Sequence, residues 1–275
     1  MKQQASPRSR SRNRGFTLDA KSLSSYWRDT RVGQKDERFA NADRLSFILA
    51  KKLKCDPHIR AAVLGGARDM RLHCFGESGN AYKAALTLTL ADQPWDVAFV
   101  DFFNGATRTP EYRTLNVMGE VPVLEDGDII LTQSGVIQDY ISSKTGKLGG
   151  RSAAERREVL RWMFFDNHKV SGLAGPLRFN MNFLPPEKRN TDVNDFLAMR
   201  LASGLKVMET HLAGREWLAG AEITIADLAC CGYLYYPEDF TFARRDYPNI
   251  DRWLDAIAAL PGWKHPYDLM PRALG

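Results

Sequence analysis

The chain has 275 residues, four cysteines and a formal net charge of +5. This length predicts two domains, and no stretch approaches the roughly 18 consecutive apolar residues of a transmembrane helix, so no membrane span is expected. No basic segment followed by an apolar core and a cleavage site opens the chain, so a secretory signal is not expected either.

The cysteines show no paired spacing. They are Cys55, Cys74, Cys230 and Cys231. A structural zinc site and a disulfide scaffold are therefore disfavoured, and a reducing cytosol fits this pattern. The five histidines form no metal-binding spacing, and the chain contains neither a nucleotide-binding glycine-rich loop nor a serine-hydrolase elbow, so no metal site is expected.

The positive charge is confined to the first 69 residues. They carry 16 Lys/Arg and seven Asp/Glu, a charge of +9, whereas the rest of the chain carries 22 and 26, a charge of −4. Arginines alternate with polar residues from Arg8 to Arg14, and such a segment has too few apolar residues to order itself. We therefore expect residues 1–69 to be a basic, largely disordered extension. Three origins stay open: an upstream start with Met70 as the true first residue, a native arm that contacts acidic surfaces, or a transit peptide.

The segment after the extension predicts alternating strands and helices. A strand over residues 70–75 precedes a polar turn, a helix from Ala81 and a second strand over residues 95–103. A strand–helix–strand crossover of this kind implies a parallel pair. Thr109 and Pro110 then predict a helix start, with the threonine as N-cap and the proline at the first helical position.

A hairpin and a helix start organise this region. Pro122 opens a strand, which a proline can do only at the first residue, at an edge or at a bulge. Asp126 and Gly127 stand between two apolar runs and strongly indicate a hairpin turn. Gln133 and Ser134 then open a helix whose free N–H groups and partial positive charge suit a carboxylate. An extended, acidic peptide could lie across the strand edge and the helix start.

The remainder of the chain is predicted to be helical throughout. A polar, glycine-rich linker at residues 143–150 leads to a long helix after Ser152. A second long helix is indicated over residues 191–212, with Phe196 and Val207 along one side.

Thr224 and Asp227 match a capping box, a pair in which each side chain satisfies the other's backbone N–H. Asp227 is therefore interpreted as structural and not catalytic. A last helix is predicted to start at Pro248 and to stop at Pro261.

The element order and three motifs resemble the glutathione S-transferases of the cytosolic type. The motifs are Leu72-His-Cys-Phe-Gly-Glu-Ser-Gly-Asn80, Gly119-Glu-Val-Pro-Val-Leu124 and Leu131-Thr-Gln-Ser134. The resemblance spans about residues 70–265 and implies an α/β thioredoxin-like domain over residues 70–144 followed by an all-α domain over residues 153–275. In that family the proline that corresponds to Pro122 is cis, and the strand edge beside it pairs with the backbone of glutathione.

The resemblance also implies a set of glutathione-binding residues. They are Arg108, Glu120, Val121, Pro122, Gln133 and Ser134. Gln133 and Ser134 would hold the γ-glutamyl carboxylate and amine, and Val121 would pair with the cysteinyl backbone. Arg108 would supply a positive charge to the glycyl carboxylate. Glu120 stands where the family often has glutamine, so its contact stays open.

Ser78 matches the serine that many members of this family use against the thiol. A free thiol has a pKa of about 8.5, and a hydroxyl that donates to the sulfur favours the thiolate, as does a nearby helix N-terminus. One such hydrogen bond is worth about 1.5–3 kcal/mol, or about one to two pKa units. Asn80 is the alternative donor. An ordinary helix N-cap is the alternative interpretation of Ser78.

Cys74 lies inside the first strand and is interpreted as a small buried hydrophobic residue, which favours conjugation over disulfide exchange. Five aromatic residues of the helical segment are candidates for an acceptor site between the domains, with a place in the core as the alternative. They are Trp162, Phe165, Tyr233, Tyr235 and Tyr236.

The sequence thus predicts a cytoplasmic, homodimeric glutathione transferase that conjugates the thiolate of glutathione, its co-substrate, to a small apolar electrophile. A non-catalytic binding or assembly module of the same fold and a glutathione-dependent disulfide reductase are the alternatives. A nucleic-acid partner rests on the basic extension alone and is disfavoured because the rest of the chain is acidic. The electrophile and the subfamily stay open.

Overall fold

The computed structural model describes residues 70–274, and the predicted extension at residues 1–69 lies outside the described residues. A four-stranded sheet comes first. Its strands are β1 (Met70–Cys74), β2 (Asp96–Phe99), β3 (Val123–Asp126) and β4 (Ile129–Thr132). The helices are α1 (Gly79–Leu90), α2 (Pro110–Leu115), α3 (Ser134–Thr145), α4 (Ala153–Phe165), α5 (Ser171–Asn182), α6 (Thr191–Leu212), α7 (Ile225–Cys230), α8 (Pro248–Ala258) and α9 (Pro266–Leu269).

The sheet has the strand order β2-β1-β3-β4. Strand β1 runs parallel to β2 and antiparallel to β3, so that Leu72 lies between Val97 and Leu124. The β3–β4 hairpin turns at Gly127, whose φ of +60° suits a residue without a side chain. The parallel pair and the hairpin predicted from the sequence are confirmed.

Strand β2 is shorter than predicted. It ends at Phe99, and the following residues form a turn in which the N–H of Phe102 donates to the carbonyl of Val100. Gly105 continues the turn with a φ of +85°. Because the chain leaves the sheet here, the two phenylalanines after β2 are not strand residues.

Helix α1 lies between the sheet and the helical domain. It begins two residues earlier than the predicted Ala81, because the side chain of Ser78 caps it by accepting from the N–H of Ala81 at 3.1 Å. Tyr82 and Leu86 on this helix are fully buried. A helix that is covered on both sides in this way positions its N-terminus rigidly.

The hairpin and the next helix follow directly. The peptide bond between Val121 and Pro122 is cis. Helix α3 starts at Ser134 and continues to Thr145, beyond the predicted start of the linker at residue 143. It ends where Gly146 takes a left-handed conformation with a φ of +69°, which is the usual place of glycine at a helix end.

The long helix predicted after Ser152 is interrupted. Helix α4 is capped by the side chain of Ser152, which accepts from the N–H of Glu155 at 3.1 Å. A π-helical turn over Asp166–Val170 then joins α4 to α5. Such turns often occur at functional sites.

Helix α6 has the predicted bounds, but the side of the helix picked out in the sequence faces outward. Phe196 and Val207 are both about half exposed, at 52% and 51%. The buried face consists instead of Leu201, Leu205 and Met208. Apolar residues occur on both faces of this helix, and the spacing alone did not distinguish them.

The predicted capping box is confirmed. The Thr224 side chain accepts from the start of α7, and Asp227 accepts from the backbone N–H of Thr224 at 2.9 Å. Asp227 also accepts from Trp253 Nε1 at 3.0 Å and from the N–H of Leu218 at 2.9 Å. Burial raises the pKa of this carboxyl group, and its effect outweighs these hydrogen bonds, which lower the pKa.

Helix α8 ends at Ala258, just before the predicted stop, and the short α9 was not predicted. Within residues 70–274, none of the helices combines the length and the apolar character that a membrane span requires.

Candidate active site

The loop between β1 and α1 carries the first predicted site residue, Ser78. Its side chain is 9% exposed, and its oxygen is occupied by the N–H of Ala81. Among the described residues the hydroxyl hydrogen has no acceptor, so it is free to donate to a ligand. Ser78 and Asn80 line a cleft of about 510 Å³ between the sheet and helix α5.

The helical domain holds this loop in place. The N–H of Gly76 donates to the carbonyl of Pro271 at 2.6 Å, and the Tyr236 hydroxyl donates to the carbonyl of Gly76 at 2.6 Å. The Arg178 guanidinium donates to the carbonyl of Glu77 at 2.7 Å. The backbone beside Ser78 is therefore fixed by three contacts from outside its own domain.

The carboxylate of Glu77 contacts the last described residues of the chain. It accepts from the N–H groups of Ala273 and Leu274 at 2.9 and 3.1 Å, and from Arg272 Nε at 3.3 Å. The Glu77 side chain is 1% exposed. A buried carboxylate needs such partners, because leaving it unpaired would be costly.

Arg178 is a buried cation at the edge of the cleft. Its side chain is 2% exposed, forms an ion pair with Glu238 at 2.6 Å and lies 3.9 Å from the centre of the Tyr236 ring. Burial alone would raise the pKa of Glu238, but hydrogen bonds from Tyr267 and Arg178 outweigh burial and hold that pKa below its usual value. Glu238 therefore stays ionised at neutral pH.

The edge of the sheet beside Pro122 forms another part of the cleft wall. Glu120 and Val121 line the cleft. The carbonyl of Glu120 accepts from the Tyr112 hydroxyl at 2.9 Å and from Asn116 Nδ2 at 2.8 Å. These bonds fix the backbone just before the cis peptide bond, so the edge at Val121 is held in one position.

The other predicted binding residues, Arg108, Gln133 and Ser134, do not line this cleft, although Gln133 lies near the edge. Gln133 has a φ of +70° at the start of α3, and its side-chain amide lies 3.4 Å from the Glu120 carboxylate. Gln133 and Ser134 line a separate cavity of about 390 Å³ against α4. Arg108 is exposed in a short 3₁₀ turn, and its side chain has no hydrogen bond or ion pair among the described residues.

The apolar wall of the cleft was missed in the sequence. Five phenylalanines share this wall with Tyr233 and contact one another in pairs. They are Phe75, Phe102, Phe103, Phe179 and Phe183. Of the five aromatic residues that the sequence suggested, only Tyr233 lines the cleft. The doublet Phe102-Phe103 was an available signal, since it follows a parallel strand, where ligand sites often lie.

Cys74 does not take part in the site. It is fully buried, and burial raises the pKa of its thiol to about 12. At neutral pH it is therefore a thiol and not a reactive thiolate. The described cysteines Cys74, Cys230 and Cys231 are all free and buried.

The family models "Glutathione S-transferase, N-terminal domain" and "Glutathione S-transferase, C-terminal domain" match residues 70–143 and 181–261. Glutathione S-transferase 3 of Zea mays is 31% identical over 214 residues, which cover 74% of this chain and 95% of that protein. A glutathione S-transferase structure from Xanthobacter autotrophicus is 32% identical with a TM-score of 0.66, and the match covers 72% of this chain and 98% of that one.

A glutathione transferase from Burkholderia graminis is 28% identical, with a TM-score of 0.64 and coverage of 70% of this chain and 85% of that one. Its structure contains two glutathione molecules bound per protein subunit. Both family models match in the expected order, and the relatives are covered almost end to end. The chain therefore belongs to the glutathione S-transferase family.

Proposed function

We propose that the protein is a glutathione transferase that conjugates the thiolate of glutathione to a small hydrophobic electrophile. The observation that carries this proposal is the composition of one cleft. Ser78, with a free hydroxyl hydrogen, and the sheet edge at Val121 line it together with an apolar wall of phenylalanines. The polar part of this cleft suits the thiol of a peptide, and its apolar wall suits an apolar acceptor. One cleft would thus hold both reactants in contact.

In this proposal, glutathione lies along the sheet edge. The backbone of Val121 pairs with the cysteinyl residue, and the start of α3 at Gln133 and Ser134 receives the γ-glutamyl carboxylate. This assignment is supported by the free N–H groups at the helix start and by the fixed backbone at Glu120. The binding of glutathione by the Burkholderia graminis relative is consistent with it.

Two charged residues complete the proposed binding site. Arg108, which is exposed and unpaired among the described residues, supplies the positive charge for the glycyl carboxylate. Glu120 accepts from Gln133 through its carboxylate and so orients that amide. Glu120 thus takes a supporting part at the position where the family often has glutamine.

Ser78 is proposed to stabilise the thiolate, with Asn80 as the alternative donor. The Ser78 oxygen accepts from the N–H of Ala81 and its hydrogen has no acceptor among the described residues, so the hydroxyl can donate to the sulfur. The N-terminus of α1 adds a favourable partial positive charge. Both effects favour the charged form and lower the thiol pKa.

A second copy of the chain is the proposed partner of an exposed apolar surface. Val136 on α3 and Leu160 and Phe164 on α4 are 51%, 47% and 73% exposed, and all three line the cavity at Gln133. The predicted homodimer would cover these side chains, and their exposure in the isolated chain supports it.

The test is a titration of bound glutathione by the ultraviolet absorbance of its thiolate, in wild type and in Ser78→Ala. We expect the apparent thiol pKa to rise by about one to two units in the variant. Ser152→Ala is the matched control, because Ser152 caps α4 with the same geometry but lies at a different helix. It should lose about 1 kcal/mol of stability without changing the thiol pKa.

A conjugation assay with an aryl halide separates the alternatives. Conjugation supports the proposed transferase. Glutathione binding without any turnover would favour a non-catalytic module, and reduction of a small disulfide without conjugation would favour a reductase. An unchanged thiol pKa in Ser78→Ala, in the presence of conjugation, would assign thiol activation to Asn80 or another donor.

A further inference from the structure

The ring of Tyr233 fills a narrow space between the start of α1 and helix α5. It follows α7, is 8% exposed and lines the same cleft as Ser78. A methyl group added at Gly79 would lie 2.7 Å from its ring atoms, and one added at Gly175 would lie 3.0 Å from its hydroxyl oxygen. A methyl group at Gly79 would collide with the ring and one at Gly175 would crowd its hydroxyl, so the ring spans closely from the start of α1 to α5.

The hydroxyl hydrogen of Tyr233 has no acceptor among the described residues, in contrast to the hydroxyl hydrogens of its neighbours. Tyr235 donates to the carbonyl of Leu254 at 2.7 Å, and Tyr236 donates to the carbonyl of Gly76 at 2.6 Å. A buried phenol normally finds such a partner. The Tyr233 oxygen accepts from the backbone N–H of Asn80, but within residues 70–274 the hydroxyl donates to no side chain or carbonyl, so its hydrogen is available to a ligand in the cleft.

The surroundings of Tyr233 keep its phenol protonated. Burial raises the pKa of the phenol to about 12, and the nearby Arg178 guanidinium and the backbone N–H of Asn80 offset only part of that rise. At neutral pH the group is a neutral phenol and a hydrogen-bond donor. Ser78, the residue before Gly79, is likewise a donor, since its oxygen is occupied and its hydrogen is free.

From this arrangement we propose that Tyr233 is a second catalytic hydroxyl, which donates a hydrogen bond to the sulfur of bound glutathione alongside Ser78. The inference rests on the proposed function, because it needs glutathione in the cleft. The ring lies against Gly79, the residue directly after Ser78, so both hydroxyl groups border the start of α1. Each hydrogen bond to a thiolate favours the charged form, and two donors lower the thiol pKa more than one.

The experiment compares wild type with Tyr233→Phe, which removes the hydroxyl and keeps the ring. The apparent pKa of the bound glutathione thiol should rise by about one unit, and kcat/KM for an aryl halide at neutral pH should fall about tenfold. Tyr235→Phe is the matched control, because that phenol donates to a backbone carbonyl and should not affect the thiol. The double variant Ser78→Ala/Tyr233→Phe should shift the thiol pKa further than either single variant.

Gly175→Ala provides a second variant if Tyr233→Phe fails to fold. The added methyl group displaces the hydroxyl from the α5 side and should also raise the thiol pKa.

Three results would overturn the inference. A wild-type protein that binds no glutathione would remove the proposed function as well. A normal, Ser78-dependent thiolate whose pKa is unchanged in both Tyr233→Phe and Gly175→Ala would remove this inference alone. This inference alone would also be removed if Tyr233→Phe slowed conjugation only with acceptors that develop negative charge on oxygen.

Discussion

The ammonium group of Lys83 on α1 lies 2.5 Å from the carboxylate of Asp166 in the π-helical turn, and both side chains are almost fully buried, at 2% and 4% exposed. The Ser171 hydroxyl completes the network, since it accepts from Lys83 at 2.5 Å and donates to Asp166 at 2.6 Å. This network joins the helix that carries Ser78 at its start to the interruption between α4 and α5. The two domains are thus held together by charge as well as by apolar packing.

Lys83→Met should destabilise the fold by about 3–5 kcal/mol, because it leaves the Asp166 carboxylate buried without its cation. The measurement is the free energy of unfolding in urea. The double variant Lys83→Met/Asp166→Leu should recover much of the loss, since apolar replacement of both partners of a buried pair is often neutral.

The exposed ion pair between Arg151 and Glu222 is the control for this prediction. Its side chains are 74% and 59% exposed, so Arg151→Ala should cost less than about 1 kcal/mol. If Lys83→Met cost no more than Arg151→Ala, the buried pair would not be what joins the domains.

Local signals in the sequence were sufficient for the parts of the fold that depend on neighbours in the chain. Thr109 caps α2 with Pro110 at its first position, and Thr224 and Asp227 form the capping box, because each motif satisfies N–H groups within four residues. The cis bond at Pro122 agrees with the family resemblance, although nothing local to the proline specifies it. The proposed roles of the binding residues stay predictions.

The apolar wall of the cleft could not be predicted in the same way, because distant segments form it. Phe102 comes from the turn after β2 and Phe179 from α5, and their rings meet at 6.4 Å only after the two domains pack together. The contact of Arg178 with the carbonyl of Glu77 has the same origin. Periodicity reports which side of an element is apolar, but it does not report which apolar side chains border a cleft.

Phe179→Ala should weaken the binding of aromatic acceptors and leave glutathione binding intact. The side chain contacts Phe102 and Phe183 in the apolar wall of the cleft and comes from α5, not from the sheet edge at Val121. Removal of this apolar surface should raise KM for an aryl halide about tenfold, which corresponds to about 1.4 kcal/mol.

Steady-state kinetics with each substrate varied in turn provides the measurement. Phe99→Ala is the control, because Phe99 lies on β2, is 50% exposed and does not line the cleft. An equal rise of KM for glutathione in Phe179→Ala would show that the wall does not belong to the acceptor alone.

Phe164→Glu should convert the proposed homodimer to a monomer. Phe164 is 73% exposed and lines the cavity with Val136 and Leu160, so a partner chain would bury the new carboxylate without a counter-charge. Sedimentation at micromolar concentration measures the mass. Phe99→Glu, at a half-exposed position on β2, should leave the dimer intact. A monomeric wild type would contradict the prediction, and so would a dimeric Phe164→Glu.

The ion pair between Arg178 and Glu238 should make stability depend on pH. Hydrogen bonds from Tyr267 and Arg178 outweigh burial and hold the pKa of Glu238 below its ordinary value of about 4.3, at which it titrates in the unfolded chain. The unfolded state therefore binds a proton more readily than the native state. The carboxylate stabilises the fold above pH ~4.3, and this stabilisation is lost as the pH falls through the native pKa.

Glu238→Gln should accordingly lose about 1–3 kcal/mol at pH 7, because the buried Arg178 loses its charged partner while keeping the carbonyl of Glu77. The difference from wild type should shrink as the pH falls below ~4.3 and through the lower native pKa, where the wild-type carboxylate becomes protonated and resembles the amide. Urea unfolding between pH 3 and pH 7 measures both values. Glu216→Gln, at an exposed position, should stay within about 0.5 kcal/mol of wild type throughout. A loss in Glu238→Gln that is the same at pH 3 and pH 7 would mean that the side chain acts through its shape and not through its charge.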